Sequence, residues 1–175
     1  EFSLESIFRA ESKLGLIFPQ TGRSIDADRV LGRLYQNQVD LQVEMHEDTV
    51  ATAPKLTTVY TDLENYRQAE HFGLIAVNGY TALFGGDHYD TAVAVANLAY
   101  AHEAAGDSDL ALNYLDASTD LFRRLGYPRY AATNLNKAGN IFHGRGDYLL
   151  AKARFESAIE LCELVYGVEH SETMI

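Results

Sequence analysis

Four alanines stand at positions 27, 69, 111 and 151, at intervals of 42, 42 and 40 residues. A near-constant interval of this length constrains the fold more than any single motif. A supersecondary unit that repeats in sequence also repeats in space, and it buries its apolar face only against its neighbours. The unit is clearest over residues 136–170. Counting from Gly139, an aromatic follows three residues on (Phe142), a glycine seven on (Gly146), an alanine twelve on (Ala151), an aromatic sixteen on (Phe155) and an alanine nineteen on (Ala158). Small and bulky residues thus alternate at helical periods, as two closely crossing helices require, and Gly146 falls where a helix C-terminus takes a left-handed residue. The spacing predicts two helices joined by a tight turn.

The frame recurs upstream three times: at Leu98, Ala99, Gly106, Ala111, Leu115 and Ser118; at Leu56, Thr57, Tyr60, Ala69, Gly73 and Ala76; and at Leu14, Gly15, Phe18, Gly22, Ala27, Leu31 and Leu34. A second ladder keeps the same register. His46, His88, Tyr130 and His170 repeat the intervals of 42 and 40, and each is followed three residues later by a threonine: Thr49, Thr91, Thr133 and Thr173.

On these residues the chain resembles the tetratricopeptide repeat. The linking segments HEDT, HYDT and HSET, with LFGG or VYG before two of them, are similar to the loops between repeats of kinesin light chains and other long-repeat proteins. The interval exceeds the ~34 residues of the standard repeat, so the long subclass is the one resembled. The resemblance runs from about Leu4 to Val168 and implies an all-α fold, a right-handed α-α superhelix or solenoid of about four helix pairs. The repeats are expected at about 4–45, 46–87, 88–129 and 130–169, with a further repeat starting at 170–175. The chain opens Glu-Phe without methionine and ends on VEHSETMI, in register with the start of another opening helix. It is therefore expected to be a segment of a longer array. Apolar residues of its last pair, such as Ile159 and Leu161, are expected to favour self-association through uncapped ends.

Periodicity and breakers predict eight helices and no strand. The first runs from Leu4 to Phe18 and ends at Pro19. Gly22 and Ser24 then supply a turn and an N-cap for a second, to about Val43. Asp48 can cap the third, which Pro54 should start near Ala53 or kink, since proline removes a backbone donor. The fourth spans Tyr66 to about Leu83, the fifth Asp90 to Ala105, and the sixth opens at Asp107 or Ser108 and ends by Leu125. Gly126 and Pro128 mark a break. The seventh then runs from about Tyr130 to His143 and the eighth from Asp147 to Tyr166.

Charge and composition narrow the partners. The net charge of −11 is spread evenly, 7 minus 13 in residues 1–87 and 7 minus 12 in the rest, with no basic stripe. Nucleic acid is disfavoured as a direct partner, because phosphate contacts need clustered Lys and Arg; a basic peptide or protein is favoured. The single cysteine, Cys162, lies in a helical apolar pattern, so no intrachain disulfide forms and nothing argues for an oxidising compartment. No apolar run approaches the ~18 residues of a membrane span and no signal peptide is visible. A cytoplasmic location is expected, with no membrane partner.

The candidates for chemistry each have a simpler role. His46, His88 and His170, near Asp48, Asp90 and Glu172, invite a metal reading, but equivalent positions of stacked repeats sit ~10 Å apart, too far to share an ion. They read as loop-shaping or helix-capping residues. The glycines of FGGDH and HGRGD lack the strand and the Lys-Ser/Thr ending of a phosphate loop, and read as turns. No G-x-S-x-G is present, and Cys162 has no histidine in helical register to activate it. No cofactor is expected and no enzyme.

What remains is surface recognition. The resemblance implies that the first helix of each pair lines a concave face. There the residues not used by the core point into a groove: Lys55, Thr58, Thr61 and Asp62 in the second repeat; Val93, Ala96, Asn97, Tyr100, Glu103 and Ala104 in the third; Thr133, Asn136, Lys137, Asn140, His143 and Gly144 in the fourth. The run VANLAYAH is similar to the NNLA stretch of kinesin light chains, whose asparagines are associated with holding an extended peptide by its backbone. Asn97 matches that motif; Asn136 and Asn140 lie in the departing frame NLNKAGN. An amide offers a peptide bond both donors and an acceptor. The binding residues expected are thus Asn97, Tyr100, Glu103, Asn136, Lys137, Asn140 and His143. The function expected is a protein- or peptide-binding scaffold. The alternative is a regulatory module of a larger signalling or transcription-regulating protein.

Overall fold

The computed structural model describes residues 24–40 and 47–166. Among them are seven helices and no strand: α1 (Ser24–Asp40), α2 (Glu47–Asp62), α3 (Tyr66–Phe84), α4 (Tyr89–Ala104), α5 (Ser108–Arg124), α6 (Pro128–Arg145) and α7 (Tyr148–Tyr166). The expected first helix from Leu4 to Phe18, the turn at Pro19 and Gly22, the end of the second helix near Val43, and His46, His170 and Thr173 lie outside the described residues. Each helix packs on the next, and α2 also packs on α4 across the intervening α3. The chain is an all-α superhelical repeat built of the pairs α2 with α3, α4 with α5 and α6 with α7.

The alanine ladder is the core of this array. Ala27, Ala69 and Ala111 have no exposed surface and Ala151 has 2%, so each marks a crossing too close for a larger side chain. Bulky partners fill the gaps left by glycine. A Cβ on Gly139 would stand 2.5 Å from Cε1 of Phe155, one on Gly73 2.6 Å from Cδ1 of Leu98, and one on Gly79 2.7 Å from Cγ2 of Val50. Where the first helix of a pair ends, Gly146 adopts φ 84°. Its N–H donates to the carbonyl of His143, and the N–H of Asp147 donates to that of Phe142 at 2.9 Å, which uses carbonyls the helix end leaves open.

Two helix starts differ from the expectation. α2 begins at Glu47 and not near Ala53, with Pro54 inside it. Proline costs the helix one hydrogen bond. Packing of the upstream turns compensates: Thr49, Val50, Thr52 and Ala53 are buried, and Val50 is seated on Gly79. Burial of one face, more than propensity, decides helix formation here. α6 begins at Pro128, two residues before Tyr130. A proline at the first helical position loses a donor that would be unpaired anyway, so what reads as a break is a start.

The histidine and threonine ladder proves to be capping chemistry at the one histidine described. His88 is the N-cap of α4 and its Nδ1 accepts from the N–H of Asp90 at 3.3 Å; the hydroxyl of Thr91 donates to the carbonyl of Gly85 at 3.0 Å. At Tyr130 the ladder changes role. Its ring stacks on Phe122 at 5.1 Å and meets Tyr89 edge-on at 5.5 Å, which makes an aromatic joint between pairs.

Neighbouring pairs are tied by directional bonds. Asp87 meets Arg124 at 2.7 Å, Asp109 meets Arg145 at 2.7 Å and Asp116 meets Arg154 at 2.8 Å. A buried relay joins three helices: Nδ2 of Asn134 in α6 donates to the hydroxyl of Ser118 in α5 at 3.0 Å, and that hydroxyl donates to the carbonyl of Ala92 in α4 at 2.8 Å.

The glycines allow a prediction with opposite signs. Gly79→Ala should destabilise the fold by about 1–3 kcal/mol, because Val50 is short, branched and buried and cannot yield. Gly32, inside α1 with only ordinary contact to Asp28 at 3.7 Å, should gain about 0.5–1 kcal/mol as alanine. Urea unfolding of the two variants checks both, and equal shifts would contradict the assigned packing.

A second prediction concerns alkali. Burial, with Asp28 bonded to Tyr60, pushes the Tyr60 phenol up to about 12; burial, with Asp90 and Glu47, does the same to Tyr80; and the hydrogen bond to Tyr130, with burial, does so to Tyr89. The unfolded chain releases these protons near pH ~10. Their contribution to stability is therefore complete below pH ~10 and is lost as pH rises from there towards 12. Stability should fall over that window, and tyrosinate absorbance should show a late-titrating group of phenols.

Candidate functional site

The first helices of the pairs are α2, α4 and α6, and α2 packs on α4. Tyr100 on α4 is 38% exposed, and Nζ of Lys137 on α6 lies over its ring, 5.3 Å from the centroid. This contact brings two of the expected residues together across a repeat boundary. Asn97 stands one turn before Tyr100, half-buried, and Asn136 holds a half-buried position next to Lys137. Asn140, one turn further on α6, is exposed. None of the three amides makes a hydrogen bond within the described residues. A half-buried amide without a partner forgoes part of its hydration for no internal bond.

Glu103 is half-buried in the last turn of α4 and Asp62 ends α2. Partial loss of its water, then the charges of Asp62 and Glu103 and the phenol of Tyr66, hold the Tyr100 phenol above its ordinary range. Asp62 is itself raised by desolvation. At the other end of the face Lys55 is lowered by burial, with Asp48 opposing.

Not every residue expected in the groove is open to the surface. Thr61 is 3% exposed and its hydroxyl donates to the carbonyl of Thr57 at 2.8 Å; the back-bonding turns it into the packing between helices. Val93 and Ala96 are half-buried against the aromatic joint around Phe122. The ring of His143 meets Tyr148 edge-on at 5.4 Å, at the turn into α7, rather than the Tyr100 ring. His102 is turned inward, stacked on Tyr114 at 5.4 Å.

Two functional elements escape the sequence pattern. Tyr66, which opens α3, reaches the neighbourhood of Tyr100 because α3 packs on α4. Asn134, one helical step from the groove residues, is 5% exposed and serves the relay to Ser118. The one signal for it was a hydroxyl, Ser118, at a core position of the repeat frame. Among the described residues no three His, Cys, Asp or Glu side chains are grouped to hold a metal ion, and no helix is long and apolar enough to cross a membrane.

This arrangement defines a class, the helical-hairpin solenoid with an open polar face. The sequence pattern of the tetratricopeptide repeat matches residues 48–124, the stretch that holds α2 to α5. BtubC (BKLC) from P. vanneervenii has the same fold, with TM-score 0.86 and 16% identity, over 98% of this chain and 69% of that one. So does a chain of Podosopora anserina assigned as a kinesin light chain with nearly identical TPR-like repeats, with TM-score 0.81 and 15% identity, over 95% of this chain and 80% of that one. A clustered mitochondria protein homolog from Aspergillus clavatus is 24% identical over 131 residues, 74% of this chain and 10% of that protein. The chain thus spans about a tenth of that relative's length. The repeat fold implies, in general, a scaffold for protein-protein interaction, and families built on it are generally non-catalytic.

Proposed function

We propose that the chain binds an extended segment of a partner protein along the concave face of α2, α4 and α6. The observation that carries this reading is the set of amides at Asn97 on α4 and Asn136 and Asn140 on α6, none of which makes a hydrogen bond within the described residues. Each can give a peptide bond both a donor and an acceptor, a way of holding a chain that tolerates many sequences. Tyr100 adds a rigid aromatic surface beside them, of the kind that anchors interfaces. Lys137 and His143 border this stretch on α6, and Glu103 borders it on α4.

Peptides selected from a random dodecapeptide display library test the reading. Asn97→Ala and Asn136→Ala should each weaken the selected peptides by about 1–2 kcal/mol while melting stays within ~0.5 kcal/mol of the parent. Asp120→Ala, exposed on the second helix of its pair and outside any ion pair within the described residues, is the control. Asp116 is unsuitable because it holds Arg154. If Asp120→Ala weakens binding as much as the asparagine changes do, the partner uses another face.

A further inference from the structure

Asp62 and Glu103 stand apart from the other inter-repeat acids. Asp87, Asp109 and Asp116 each meet an arginine at 2.7–2.8 Å, whereas neither Asp62 nor Glu103 has an ion pair or a side-chain hydrogen bond within the described residues. Both also lie in the last turn of a helix, where open carbonyls add negative potential and a cation is favoured. α2 has no basic residue in its last turn, and the one in that of α4, His102, is buried against Tyr114. Two carboxylates and two helix C-termini, on helices that pack together, therefore add negative potential to this side of the array, with no cation paired to either carboxylate among the described residues.

The aromatic ring beside them already accepts a cation. Lys137 lays its ammonium over Tyr100 at 5.3 Å, a separation at which the ring face attracts positive charge. That ammonium makes no ion pair within the described residues, so it satisfies the ring and leaves both carboxylates open. Glu103 stands one turn after Tyr100 on α4, and Asp62 ends α2, which packs on α4; the charges of both reach the Tyr100 phenol.

We infer that Tyr100, Asp62 and Glu103 form a subsite for a lysine or arginine side chain of the extended segment, which takes the place of Lys137 over the ring. The inference rests on the groove reading above and adds the chemistry of the partner. Asn97, one turn before Tyr100, holds the backbone on either side of that residue. Lys137 is then an occupant that the partner displaces.

The same display library, selected on the chain as it stands, separates the two readings. Enrichment of peptides with Lys or Arg at one fixed position is expected. Replacing that residue by norleucine should weaken binding about tenfold, as should Asp62→Asn combined with Glu103→Gln. The two changes together should cost little more than either alone. Lys137→Met should strengthen the basic peptides about two- to fivefold, because it removes the competing cation and its repulsion. Enriched peptides that are neutral or acidic at every position, yet weakened by Asn97→Ala, would overturn the cation subsite and leave the groove reading standing. A Lys137→Met variant that binds basic peptides more weakly would also overturn it. No enrichment at all, or binding indifferent to Asn97→Ala, would overturn both.

Discussion

Replacing Phe122 by alanine is expected to lower stability by about 3–5 kcal/mol, a large part of what a domain of this size holds in reserve. The ring is 1% exposed and sits among Ala92, Val95, Leu121 and Ala131. It also stacks on Tyr130 and meets Tyr89 edge-on at 6.0 Å. It touches α4 of its own pair and the helix that opens the next, so removing it opens a cavity that reaches from inside the pair into the interface with its neighbour. Chemical unfolding read by circular dichroism checks the magnitude. A loss under about 1 kcal/mol would show that the junction collapses around the void. Phe122→Leu, which keeps most of the volume, should cost less than ~1.5–2 kcal/mol.

The second large effect is expected at the crossing of α6 and α7. Gly139→Val should destabilise by about 1–3 kcal/mol or more, since even its Cβ would collide with the Phe155 ring. Phe155→Leu alone costs a partial cavity. Because the two substitutions relieve one another, the double variant should be more stable than the sum of the singles predicts, by at least ~1 kcal/mol of coupling. Additive losses would mean that the two residues do not meet, and would break the register on which the repeat assignment rests.

That register was legible in the sequence because close helix crossings permit only small residues, and smallness at Ala27, Ala69, Ala111, Ala151 and Gly139 is visible without coordinates. Helix ends were legible where glycine or histidine chemistry set them, as at Gly146 and His88. A late start at Pro54 and at Pro128, which local propensity argued for, does not occur. At Pro54 buried neighbours outweighed the lost bond, and at Pro128 no bond was lost. The surface of the opening helices was readable in part. Asn97, Tyr100, Lys137 and Asn136 follow from helical spacing once the lining helices are known. That Thr61 would bond back to its own helix, and that Asp62 would share an electrostatic neighbourhood with Tyr100, depends on how α2 meets α4. Periodicity within one helix carries no information about that.

The relay from Asn134 through Ser118 to Ala92 has a mechanical consequence. One interval earlier in the array, the positions of Asn134 and Ser118 are taken by Ala94 and Ala76, both fully buried and apolar. Apolar surfaces can slide by a fraction of an ångström at small cost, because dispersion has no direction. A buried hydrogen bond cannot, because bending it forfeits the bond and strands its donor. The solenoid is thus hinged unequally: compliant where α3 meets α4 and latched where α5 meets α6. Any change of pitch imposed by tension or by a wedge in the groove should be taken up at the first joint, and amide exchange across the second should stay slow until the whole unit lets go.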